Sequence, residues 1–150
     1  MADQTLSIMK SAEMRSEDFL NAFQIWVANQ PLIEGAALVG SHARGTAGPA
    51  SDIDLVILAT TPDHFIQDTD WVKTWGNTHS IAKENYGVVT SIRVFYPSGP
   101  EVEFGITSPE WAAIPVDPGT QRVVSDGIKT LYDPKQHIEK LVEIVIQCQS

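Results

Sequence analysis

The sequence predicts a single α+β domain over residues 1–150, a small mixed β-sheet with helices packed on one side. Three observations carry that expectation. The chain is 150 residues long with 43% hydrophobic residues, enough for one buried core without disulfides or structural metals. Short β-branched runs bounded by glycine and proline alternate with stretches whose apolar residues recur at helical spacing. No repeat at solenoid spacing and no Gly/Pro-rich linker divides the sequence.

Ser16-Glu17-Asp18 opens a helix with acids near the positive end of its dipole; Phe19, Leu20, Phe23, Trp26 and Val27 follow on one face, and Pro31 bounds it. Gly35 to Val39 is a short apolar strand that runs into a turn at Gly40-Ser41, with a short helix beginning in His42 to Gly45. After the small-residue loop 46–51, Ile53 to Leu58 is a second strand. Thr61-Pro62-Asp63 starts a helical stretch that reaches about Trp75, broken at Asp68-Thr69-Asp70. Val88 to Tyr96 and Val102 to Ile106 flank a Pro-Ser-Gly-Pro turn and predict a hairpin. Ser108-Pro109-Glu110 begins a short helix carrying Trp111. Arg122 to Val124 and Gly127 to Tyr132 read as extended, and Asp133-Pro134 opens a last helix with Ile138, Leu141, Val142 and Val145 on one face.

Nineteen Asp and Glu against ten Lys and Arg give a net charge of -9, which disfavours a broad nucleic-acid-binding surface. The single cysteine, Cys148, cannot form an internal disulfide and fits a reducing cytoplasm. No segment approaches the ~20 apolar residues of a membrane span, and the N-terminal residues lack the apolar core of an export signal, so the expectation is a cytoplasmic protein with no membrane partner.

The chemistry concentrates at Gly40-Ser41 and, ten residues further on, Asp52-Ile53-Asp54-Leu55. Side chains alternate along a strand, so Asp52 and Asp54 share one face while Ile53 and Leu55 enter the other. Glu101-Val102-Glu103-Phe104 repeats the pattern, and an adjacent strand would bring Glu103 beside the aspartates. At ~5 Å and an effective dielectric near 20, each like-charge pair costs about 3 kcal/mol, so three clustered carboxylates call for a cation or a proton. Hard carboxylate oxygens without a cysteine or histidine cluster suit Mg²⁺ or Mn²⁺, and Mg²⁺ is commonly shared between one or two carboxylates and phosphates, which points to a nucleoside triphosphate. Gly40-Ser41 permits close approach of an anion to backbone amides, and Arg44 offers a bidentate charge to phosphate. Arg93 lies on an apolar strand, where its charge needs a partner. His42 reads as a loop side chain, and Trp71, Trp75 and Trp111 as packing residues.

GSHARGTAGPASDIDLVIL, residues 40 to 58, resembles the signature of the polymerase beta-like nucleotidyltransferases, with similarity to antibiotic adenylyltransferases and minimal nucleotidyltransferase antitoxins. Ser125 to Asp133 also looks like the strand and turn that follow the third acid in such proteins. The resemblance implies the family's fold and a two-metal, Mg²⁺-dependent transfer of a nucleoside monophosphate from a triphosphate, with ATP the expected donor. The acceptor would be a hydroxyl or phosphate on a small molecule or a protein. It implies Asp52, Asp54 and Glu103 as metal-holding catalytic residues and Gly40, Ser41, Arg44 and Ser51 at the nucleotide. Glu101, Asp117 and Asp126 compete with Glu103 for the third place.

Drug-modifying relatives usually continue into a helical domain, and the expectation here is a single nucleotidyltransferase domain without a separate helical one. The acceptor pocket is therefore expected from the segment between Asp63 and Tyr86, from a second copy in a homodimer, or from a helical protein partner. Two other functions stay open at this stage: an antitoxin-like or regulatory subunit that engages such a partner, and an inert nucleotide sensor.

Overall fold

The computed structural model describes residues 15–48, 51–97, 99–113 and 115–149. Helix α1 (Ser16–Ala28) precedes strand β1 (Ile33–Val39), the five-residue helix α2 (Gly40–Arg44) and strand β2 (Ile53–Ala59). Helix α3 (Pro62–Gln67) and a 3-10 turn (Asp70–Trp75) lead to β3 (Ser80–Asn85), β4 (Thr90–Phe95) and β5 (Glu101–Thr107). A second 3-10 turn (Pro109–Ala112), helix α4 (Pro118–Asp126), strand β6 (Ile128–Tyr132) and helix α5 (His137–Gln149) complete the order.

The six strands form one mixed sheet in the order β3-β4-β5-β2-β1-β6. Among the described residues only β2 and β5 pair in parallel, with the segment between them crossing back through α3, β3 and β4. The other four ladders are antiparallel. The α+β class and the mixed sheet are as the sequence predicts.

The helices cover both faces of the sheet rather than one. Ile53, Leu55, Ile57 and Ala59 of β2 join Phe19, Phe23 and Phe104 in one core, while Val56 and Leu58 join Trp111, Leu141 and Val145 in another. The reason lies in β2 itself. Past Asp54 it is apolar at every position, which is the pattern of a strand buried on both sides. Toward its N-terminal end the second face carries Asp52 and Asp54 in place of apolar residues.

Further expectations change. Arg122 to Val124, read as extended, lies within α4, whose N-cap Asp117 accepts hydrogen bonds from the Gly119 and Thr120 amides at 2.9 and 3.2 Å. Strand β3 has no counterpart in the sequence reading. The last helix starts at His137 rather than at Asp133-Pro134, with Asp133 reaching over the intervening turn to accept from the Ile138 and Glu139 amides. The side chain of Cys148 lies outside the described residues.

Trp71 and Trp75 pack as expected. With Trp26 and Phe104 they form an aromatic cluster on the face opposite the acids, with Trp71 and Phe104 ring centroids 4.9 Å apart. Among the described residues no helix is long and apolar enough to cross a membrane.

Candidate active site

The parallel pairing of β2 with β5 builds the acidic centre. Its register sets Asp54 against Glu103 and Ile53 against Val102. Both acids project from the sheet face that also carries Val56 and Leu58, while Ile53, Leu55, Val102 and Phe104 enter the opposite core. Two strands with the same acid-apolar alternation, paired in register, place carboxylates side by side.

Asp54 is half-buried, and its carboxyl is raised to a pKa of about 6. Burial is the largest cause, followed by the neighbouring charges of Glu103 and Asp52. Glu101 is also raised, first by a hydrogen bond shared with Asp52 and then by burial. Four carboxylates therefore crowd one sheet face.

Arg93 pairs directly with two of them. The Arg93 guanidinium on β4 donates to Glu103 Oε2 at 2.8 Å through one terminal nitrogen and to Glu101 Oε1 at 3.2 Å through the other. Ser91, two residues earlier on the same face, is almost fully buried and donates its hydroxyl to Glu103 Oε1 at 2.8 Å. The partner that Arg93 needs is thus the acid pair of β5, across the β4–β5 ladder where Arg93 is opposite Glu103.

Gly40 begins α2 with φ +75°, and a Cβ there would collide with the Asp54 carboxylate. The positive φ favours glycine, and any side chain here would also displace the Asp54 carboxylate. Ser41 follows within the same short helix, and Gly45 ends it in the left-handed conformation. Arg44 is exposed, and its stem runs over Gly127, where a Cβ would lie 2.7 Å from Arg44 Cγ. The loop after α2 is tied from within: the Gly48 amide donates to Ser51 Oγ at 2.9 Å, and the His42 ring lies 3.3 Å from the Ser51 carbonyl.

These residues open onto a cavity of about 690 Å³ between the acidic part of the sheet, the start of α2, the β3–β4 turn and α4. Gly40, Arg44, Asp54 and Glu103 line it together with Trp111 and Thr120. Ser41, Ser51 and Asp52 stand outside that lining. Asp117 and Asp126, the competitors for the third acid, are on the α4 wall, whereas Glu103 is the one in register with Asp54.

Residues 21–95 match the profile of the nucleotidyltransferase domain. This chain belongs to that family. The fold of this nucleotidyltransferase domain is also that of a solved aminoglycoside 6-adenyltransferase from Bacillus subtilis, at TM-score 0.53 and 16% identity over 66% of the chain. The chain spans 37% of that protein's length. A solved toxin-antitoxin with AMP-PNP aligns at TM-score 0.44 and 16% identity, covering 87% of the chain and 86% of its counterpart. No curated protein matches the sequence.

The residues suit a hard divalent ion at one place. Asp52 and Asp54 offer oxygen donors on one strand face, and beside the larger effect of burial the charges of Glu103 and Asp52 raise the Asp54 carboxyl, a like-charge repulsion that a dication would relieve. Glu103 stands beside them with each oxygen already accepting a hydrogen bond from the chain. Among the described residues, no three His, Cys, Asp or Glu side chains are arranged as ready ligands for one ion.

Sequence reasoning missed Ser91, and it offered Glu101 only as a competitor for the place of Glu103, whereas both acids sit in the centre. Strand parity was the available signal in both cases: Ser91 and Arg93, like Glu101 and Glu103, are two residues apart. The α4 wall was missed because residues 122–124 were read as extended, although Asp117-Pro118 marks a helix start.

Proposed function

We propose that this nucleotidyltransferase domain transfers a nucleoside monophosphate from a triphosphate to an acceptor hydroxyl or phosphate, with Mg²⁺ or Mn²⁺ held at Asp52 and Asp54. The observation that carries the reading is the shared cavity: Asp54 and Glu103 line it together with Gly40 and Arg44, so a carboxylate pair and a phosphate-compatible turn face one space. Its volume of about 690 Å³ falls within the ~300–1,000 Å³ range of small-molecule sites.

In this reading the Gly40-Ser41 turn and Arg44 hold the β- and γ-phosphates, with Ser51 keeping the loop that follows α2 in shape. The acceptor oxygen bonds to the α-phosphorus as the bond from that phosphorus to its bridging oxygen breaks. Pyrophosphate leaves with the electron pair, drawn off by the Arg44 charge. The acceptor's proton passes to water or to a carboxylate on the Glu103 side. A divalent ion held by Asp52 and Asp54 would supply Lewis acidity, offsetting the charge of the carboxylates and the phosphates. The acidic chain favours a small molecule or a protein side chain as acceptor over a nucleic acid.

The test is calorimetric titration of ATP, GTP, CTP and UTP into the protein with Mg²⁺ and then with EDTA, with the Asp52→Asn/Asp54→Asn variant as control. Metal-dependent binding that the double variant loses is expected, and the best binder names the donor base. Triphosphate binding that is indifferent to both EDTA and the aspartates would remove the reading.

A further inference from the structure

We propose that Arg93 is the fixed counter-cation of the Glu101–Glu103 side of the site, so that in the nucleotide-free protein a divalent ion is held by Asp52 and Asp54, and Glu103 belongs to Arg93 and Ser91. The inference deepens the reading above and rests on it.

Geometry carries the assignment. Both Glu103 oxygens are engaged, Oε2 by Arg93 and Oε1 by Ser91, each at 2.8 Å. The guanidinium also spans to Glu101 Oε1. Its planar fork is suited to two acids one strand-repeat apart, and cross-strand register holds it opposite Glu103. Ser91 is 4% exposed, so its hydroxyl has little water to turn to and is committed to the carboxylate. Arg93 is thereby held to the Glu101–Glu103 side, within reach for its charge to be felt at Asp54, and acts on the ion in two ways. Its charge weakens the attraction of the cluster for a dication, and its hydrogen bond withholds Glu103 from direct coordination. Arg93 is a positioning residue here, acting through Glu103.

Two opposing effects separate this role from a merely structural one. Binding of Mn²⁺ to the nucleotide-free protein, followed by the paramagnetic resonance of the free ion, is expected to tighten by about tenfold in Arg93→Gln. Arg93→Lys keeps the charge and should stay near the parent value. Glu103→Gln should weaken the parent by no more than about tenfold, a charge effect, but should cost distinctly more in the Arg93→Gln background, where the carboxylate is free to join the ion. Asp54→Asn should lose about a hundredfold or more.

Weaker or unchanged Mn²⁺ binding in Arg93→Gln overturns the proposal, as does a Glu103→Gln loss that is the same in both backgrounds. If Asp52→Asn and Asp54→Asn bind Mn²⁺ as the parent does, the ion site itself is misplaced and the functional reading fails with it. Loss in the aspartate variants without gain in Arg93→Gln removes the role of Arg93 alone.

Discussion

Asp54 concentrates the opposing demands of stability and function in one side chain. Its carboxyl titrates near 6 in the folded protein against an ordinary value of 3.8. Between those values the native state holds more proton than the unfolded chain, so stability falls as pH rises through the window, and the loss is complete above it. Allowing for solvent screening of a half-buried group, the loss is on the order of 1–2 kcal/mol. Asp54→Asn removes it. The variant is therefore expected to be more stable than the parent at pH 7.5 and no more stable at pH 3.5, by urea unfolding without metal; a less stable variant at pH 7.5 would make Asp54 a structural residue. Gly40 answers the same carboxylate from the other side. Gly40→Ala puts a methyl group into the Asp54 carboxylate and a side chain at φ +75°. A destabilisation of about 1–3 kcal/mol is expected, with weaker Mn²⁺ binding because the carboxylate must move. An alanine variant of parental stability and affinity would show that the turn can relax.

The wall of the cavity depends on an element held by its cap. Helix α4 has nine residues, and Asp117 satisfies two of its first amides. Asp117→Ala is expected to cost about 1 kcal/mol and to speed hydrogen exchange at the Thr120 amide more than at amides of β2, which mass spectrometry of the exchanged protein would read. Equal acceleration at both would mean that the cap stabilises the molecule as a whole and not its own helix. The sequence contained this helix start. Asp117-Pro118 is the same cap-and-proline signal that correctly located the helix after Thr61-Pro62 and the turn after Ser108-Pro109, but the β-branched pair Val123-Val124 outweighed it. Strand β3 was illegible for a different reason. Ser-Ile-Ala-Lys-Glu-Asn is mostly exposed at the sheet edge and has no apolar alternation; its structure comes from pairing with β4, a long-range fact that local pattern does not carry. The acid alternation of β2 and β5 was readable because period two is local. Their parallel register, which brings Asp54 to Glu103, depends on the crossover and was visible only as a possibility. Helices on both faces were missed because the uninterrupted apolar run after Asp54 was read for its acids and not for its two buried sides.

At the scale of the molecule, the sheet is a wall shared by two cores. β2 contributes Ile57 to one and Leu58 to the other, and β1 contributes Leu38 to the first and Ala37 to the second. Neither core can open without exposing the backs of strands that the other needs, so the two should melt together. The tryptophans make this measurable, because Trp26, Trp71 and Trp75 all pack against the first core and only Trp111 lies in the second. Ile138→Val trims a buried methyl group in the second core, and Ile92→Val does so in the first. Each is expected to cost about 0.5–1.5 kcal/mol, and the double variant their sum to within about 0.5 kcal/mol. The more telling comparison is between probes. Ile138→Val should shift the unfolding midpoint of tryptophan fluorescence, dominated by the opposite face, by the same amount as that of far-ultraviolet circular dichroism. A fluorescence midpoint that stays in place while the dichroism midpoint moves would mean that the two faces unfold separately. The acidic edge would then be anchored by the second core alone, since Asp52 and Asp54 lie on the face that Val56 and Leu58 continue.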